Sequence, residues 1–303
     1  MKHIGLMAAA ALLIAAQAFA QSDNGAGRAV VTIFAKHNEI APSIAQQDVS
    51  AKVNGKDAAV AGWAPYKGPN DGMELIVLID SGARNLGRQF DEMKQFIQNL
   101  NPDTKVAIGY MQNGYAAMAG PLSADHKQAL SELHLPAGPN TNPYFTLSSL
   151  AHQWPSQDRK TRREVVMLSD GVDPENRRFD PEDPYVVAAI HDCVQAGMVV
   201  YTVYWRSGPD DGGSFTAEGG QSLLNELTQA TGGNSYWSGT GNPVSFQPFF
   251  DDLQRRFENQ YSLEFTVPLD RKPQVETLKL KVEGLGLQVT APQQVFVHPG
   301  SIE

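Results

Sequence analysis

Cysteine is nearly missing. Cys193 stands alone in 303 residues, so no intrachain disulfide can form and the fold must rest on its apolar core. It lies in a helical pattern, VVAAIHDCVQAGMVV, where a thiol acts as a small buried apolar group. Basic charge is also short. The 24 Lys and Arg face 33 Asp and Glu, a formal net charge of −9, and such a surface repels the phosphates of nucleic acid. Long apolar runs are confined to the N-terminus, so no later segment is expected to cross a bilayer. The seven histidines show no zinc-type spacing. Gly-x-Ser-x-Gly, Walker and dinucleotide-glycine patterns are all missing. Enzyme chemistry therefore has no motif to stand on, and the expectation is a non-enzymatic protein without a cofactor.

What is present begins with a targeting signal over residues 1–20. Lys2 supplies the positive start, IGLMAAAALLIAA the apolar stretch, and Ala18-Phe19-Ala20 a small-x-small cleavage site. The mature chain is then expected to be secreted or periplasmic, with no membrane span once the signal is removed. Residues 21–71 read as a β segment. It contains a β-branched run, GRAVVTIFA, and an alternating one, DVSAKVNGKDAAV, broken at Asn54-Gly55, a strong hairpin signal.

From Glu74 the pattern changes. ELIVLID, TKVAIGYMQ, REVVMLSDG and MVVYTVYW are continuous apolar runs, as in strands buried on both faces. Between them lie helical patterns. One carries Phe90, Met93, Phe96, Ile97 and Leu100 at helical spacing, another starts near Ser123 as its cap, and a third stops at Gly197. Residues 72–258 are thus predicted to form an α/β domain, a Rossmann-like, doubly wound, mostly parallel sheet. Residues 259–303 return to β pattern. Short strands at both ends cannot bury two faces alone, so the two flanks are expected to pair into a small β-sandwich.

Two predicted strands end in acid: Asp80 after LIVLI and Asp170 after VVMLS. Ligands of open α/β sheets sit beyond the carboxyl ends of the strands. Two carboxylates there need a cation, a shared proton or a basic partner. The plainer alternative is that each caps the next helix.

With LIVLIDSGA, VVMLSDGVD and LTQATGGNSYW in this order, the chain resembles a von Willebrand factor type A domain. Its flanks resemble the VWFA-related proteins of acidobacterial type. The resemblance implies a metal-ion-dependent adhesion site of Asp-x-Ser-x-Ser with a distant Thr and a distant Asp, holding Mg²⁺ through oxygen ligands. On this chain it points to Asp80, to Asp170, and to Thr141 with Thr146 as the second candidate. The hydroxyl positions hold Gly82 and Arg84, which makes the site degenerate. Arg84 then either bridges the two carboxylates in place of the ion, or points to solvent beside an empty site, or stands near a weakly bound Mg²⁺ or Ca²⁺.

Two loops are expected at the same edge, residues 170–184 and 205–220. Asp173 in the first, with Tyr236, Trp237 and Arg84, completes a candidate partner-binding set. The leading expectation is an exported adhesion-type module that binds a protein partner in the periplasm or outside the cell. The alternatives are a structural or assembly subunit of an envelope complex acting through its β unit, and an envelope enzyme.

Overall fold

The structure, a computed structural model, describes residues 24–35, 43–68, 71–138, 142–206, 213–268 and 272–300. The predicted signal at 1–20 and the candidate ligand Thr141 lie outside these residues. In chain order the first elements are β1 (Asn24–Ala35), β2 (Val49–Val53) and β3 (Lys56–Pro65). The α/β unit follows with β4 (Met73–Ile79), α1 (Arg88–Gln98), β5 (Lys105–Gln112), β6 (Tyr115–Met118), α2 (His126–Glu132), α3 (Pro143–His152) and β7 (Arg162–Ser169). It continues through α4 (Pro184–Ala196), β8 (Met198–Tyr204), α5 (Gly213–Thr231), β9 (Ser235–Tyr236) and α6 (Gln247–Phe257). The chain then closes with β10 (Gln260–Pro268), β11 (Gln274–Val282), β12 (Leu287–Thr290) and β13 (Gln294–Pro299).

The α/β sheet runs β6-β5-β4-β7-β8-β9. Pairing is parallel except for the β5–β6 hairpin. All seven residues of β4, all eight of β7 and all seven of β8 are buried, which is why their central residues read as apolar runs, with Glu74, Arg162, Arg163 and Glu164 buried at their starts. Side chains alternate between two cores. Leu75, Val77 and Ile79 face a core with α1 and α6, while Ile76 and Leu78 face one with α3, α4 and α5. The chain leaves β4 for β5 on one side and later returns to β7 on the other, which creates a crevice at the carboxyl ends of β4 and β7.

Several local expectations are met. Asn54 and Gly55 turn between β2 and β3 with φ of 49° and 76°, and Gly197 ends α4 in the left-handed region at φ 69°. Others differ. The cap of α2 is Asp125, whose side chain accepts from Lys127 N–H, because the helix starts later than Ser123. Residues 213–220 of the expected 205–220 loop form the first turns of α5, and residues 207–212 lie outside the described residues.

The flanks correct the expected sandwich. They form a closed antiparallel sheet, β10-β3-β2-β11-β13-β1, with β1 pairing back onto β10 and β12 added to the end of β1. One long strand makes the closure. β1 pairs with β10 over Asn24–Thr32 and meets β13 at Gly25 and Ala26 on its other side. A barrel leaves no hydrogen-bonding edge, whereas two short sheets would have exposed several. Its core holds Val31, Ile33, Leu263, Phe265 and Val297. Gly27 permits the tight packing: a Cβ there would stand 2.4 Å from Phe265 Cζ and 2.9 Å from the Phe296 carbonyl.

Candidate functional site at the carboxyl rim

Parallel pairing of β4 with β7 matches Ile79 with Leu168, so Asp80 stands beside Ser169 and Asp170 one residue beyond. The two sequence-distant acids therefore share one rim. Neither caps a helix. α1 has Gly87 at its cap position without a side-chain bond, and α4 is capped by Asp183.

Asp80 is 3% exposed, and its carboxylate is occupied from within the protein. Oδ1 accepts from Gly82 N–H at 3.0 Å and Oδ2 accepts from Ser169 Oγ–H at 2.8 Å. Its backbone N–H donates to the Leu168 carbonyl at 2.9 Å. Burial raises the Asp80 pKa above the usual aspartate value, against the Gly82 and Ser169 hydrogen bonds and the positive charge of Arg84. Ser169 escaped the sequence reading, since a serine one residue before an acid-tipped strand end carries no distinctive signal.

The neighbouring hydroxyls have partners within the protein. Ser81 Oγ donates to the Met111 carbonyl. Thr146 Oγ1 donates to the Asn142 carbonyl at 2.9 Å inside α3. Gly82 offers no hydroxyl. Among the described residues, no group of three or more His, Cys, Asp or Glu side chains is placed to hold a metal.

Arg84 does not form an ion pair within 4 Å of Asp80. Its side chain is exposed, and Nε donates to the Ser81 carbonyl at 3.0 Å. Asp170 is half-buried, with Oδ1 accepting from Val172 N–H at 3.0 Å. Backbone contact holds this segment in place: a Cβ on Gly220 of α5 would stand 2.1 Å from the Asp170 carbonyl oxygen. Gly171, at φ 70°, faces the same helix turn.

The expected partner-binding set divides by exposure. Arg84 and Trp237 are exposed. Asp173 and Tyr236 are not available to a partner. Asp173 is 1% exposed, with Oδ1 accepting from Glu175 N–H at 2.9 Å and Oδ2 unpartnered. Tyr236 is buried, donates to Asp252 Oδ2 at 2.7 Å and stacks on Phe249. Both sit where the chain folds back onto helices, a contact that local sequence does not reveal.

A different group of aromatics is open to solvent at this rim. Tyr115 follows the β5–β6 turn, Phe145 lies in the first turn of α3, and Tyr185 in the first turn of α4. Their rings meet edge to face in a chain, with centroids 6.1 Å apart at each step, yet they are 55%, 41% and 46% exposed. Phe215 of α5, also exposed, packs edge to face on Phe179 at 5.6 Å. Buried beneath them, Tyr144 donates to the Gly171 carbonyl at 3.0 Å and ties α3 to the Asp170 loop.

No protein-family model matches the chain, and no curated protein matches it. Solved structures similar to it include BatB from Bacteroides thetaiotaomicron, at 12% identity and a TM-score of 0.44, covering 61% of this chain and 97% of that one. Another is the von Willebrand factor domain of the type V pili tip protein Mfa5 from Porphyromonas gingivalis, at 11% identity and a TM-score of 0.43, covering 64% and 95%. A third is manganese-loaded TRAP protein from Plasmodium vivax, at 13% identity and a TM-score of 0.42, covering 74% and 94%.

Proposed function

We propose that this protein is an exported, non-enzymatic binding module that recognises a protein partner with the rim above β4 and β7, without a resident metal ion. The observation that supports the reading is the exposed Tyr115–Phe145–Tyr185 chain of rings. Aromatic side chains are costly to leave in water and are enriched at binding hot spots. They are carried on helix starts and a hairpin beside the buried strands β4 and β7, so little order is lost on binding. The Asp80 carboxylate contributes to holding that scaffold, with both oxygens satisfied internally. Arg84 and Trp237 lie on the exposed part of the same end of the sheet.

The experiment is capture from envelope extract with the full chain as bait, with and without EDTA, beside a Tyr115→Ser/Phe145→Ser/Tyr185→Ser variant. The expected result is a specific partner that survives EDTA and is lost with the triple substitution. A partner released by EDTA overturns the metal-free reading. One retained by the triple variant moves recognition away from this rim and favours assembly through the barrel.

A further inference from the structure

At the opposite end of the α/β sheet, a cleft of about 840 Å³ opens between the starts of β7 and β8, the end of α4, and strands β1 and β13 of the barrel. Clefts of this size between packed units are where small ligands are commonly held. The charge lining it runs against that of the whole chain. Arg28, Arg159, Lys160, Arg162 and Arg163 border it, and Asp158 is the one acid among its described lining residues, in a protein of net charge −9.

These cations are unequally matched. Arg28 pairs with Glu264 at 2.7 Å and Arg162 with Asp71 at 2.5 Å. Among the described residues, Arg159 and Lys160 form no ion pair within 4 Å. Arg163 is 5% exposed, and its Nη atoms donate to the carbonyls of Ala196, Ser156 and Asp158. The buried Nε–H groups of Arg28 and Arg163 have no acceptor. Burial lowers the Arg163 pKa, and the like charge of Arg159 lowers it further, against the attraction of Glu74 and Asp158. The exposed, unpaired positive charge of Arg159 and Lys160 favours an oxyanion, which a guanidinium group binds in matched geometry. Val194, Met198, Val199 and Phe296 add apolar lining, beside polar residues that include Gln195, Thr231, Gln294 and His298.

We propose that this cleft binds an oxyanion carried on an apolar body, of the alkyl-phosphate class, with the anion at the Arg159–Lys160–Arg163 side and the apolar part along Met198, Val199 and Phe296. Such a group belongs equally to a soluble organic phosphate and to an anionic lipid headgroup.

Isothermal titration of the full chain with octyl phosphate, inorganic phosphate and octanol tests the site. Octyl phosphate is expected to saturate it at one equivalent. Each half-ligand should bind at least about tenfold more weakly, since each makes only part of the contacts. Arg159→Glu/Lys160→Glu changes two exposed side chains and should weaken octyl phosphate at least about tenfold while leaving the thermal midpoint in place. Raising salt on the unchanged protein should weaken binding in the same direction and does not depend on the variant folding. Co-sedimentation with phosphatidylglycerol vesicles identifies a lipid source; binding of octyl phosphate without co-sedimentation identifies a soluble one. Octyl phosphate binding no tighter than octanol, or unchanged by charge reversal and salt, overturns the proposal. Neither result bears on the rim at the other end of the sheet.

Discussion

Ser169 Oγ donates to Asp80 Oδ2 at 2.8 Å across the paired ends of β7 and β4. The contact joins two strands 89 residues apart in sequence and turns the acid that resembles a cation ligand into part of the scaffold. Ser169→Ala removes that donor and leaves a buried carboxylate oxygen unpartnered, at a cost of ~1–3 kcal/mol. Urea denaturation reads the loss. An unchanged midpoint would mean that the hydroxyl is not what satisfies Asp80.

Because burial holds the Asp80 pKa above its usual value, the folded chain keeps a proton there that the unfolded chain releases as pH rises. Its contribution to stability is present at low pH and lost as pH climbs through the raised pKa. Asp80→Asn, which cannot ionise, should flatten this part of the stability profile. A variant with the same pH slope as the parent would contradict the assignment.

Glu164 provides a stronger case at the other end of β7. It is fully buried, and burial raises its pKa from 4.5 to about 8 against the nearby charge of Arg162 and the side-chain amide of Gln260. The folded chain therefore retains a proton that the unfolded chain loses near 4.5. Stability should fall as pH rises between these two values, by up to about 1.4 kcal/mol per pH unit. Glu164→Gln should remove the Glu164 share of the slope and leave that of Asp80. Thermal melts from about pH 5 to pH 8 measure it, and a flat profile in the parent would rule out a neutral Glu164.

A Cβ on Gly220 would stand 2.1 Å from the Asp170 carbonyl oxygen. Gly220→Ala must push α5 and the Asp170 loop apart, with an expected cost of about 1–3 kcal/mol. It should also weaken rim binding more than its stability loss explains, because Phe215 rides on the same helix. Equal losses in both measurements would leave the helix without a part in recognition.

Serines can be placed at positions 82 and 84. Gly82→Ser/Arg84→Ser rebuilds the Asp-x-Ser-x-Ser pattern that the chain only partly keeps, and should gain Mg²⁺ binding relative to the parent. Calorimetric titration with Mg²⁺, Mn²⁺ and Ca²⁺ compares the two. A parent that already gives a clean micromolar isotherm would defeat the metal-free reading.

How much of this was legible depended on the range of the interaction. Buried strands such as β4, β7 and β8 announced themselves as apolar runs, because both faces of each are covered. Asn54-Gly55 and Gly197 marked their turn and helix end because positive φ excludes most other residues. The rim acids stood out because each directly follows a predicted strand, at the edge where ligands of open α/β sheets sit. Asp173 and Tyr236 were legible as polar and aromatic residues in a loop region, but their burial was not, since it depends on which helices fold over them.

From the sequence alone came most of the strands and helices and the two β flanks, all set by side-chain type and short-range periodicity. Only the tertiary structure closed the flanks into a barrel, paired Ser169 with Asp80, and gathered Tyr115, Phe145 and Tyr185 into one exposed line. Each of those outcomes joins residues far apart in the chain. Their contact is fixed by strand pairing and helix packing, which no local pattern encodes.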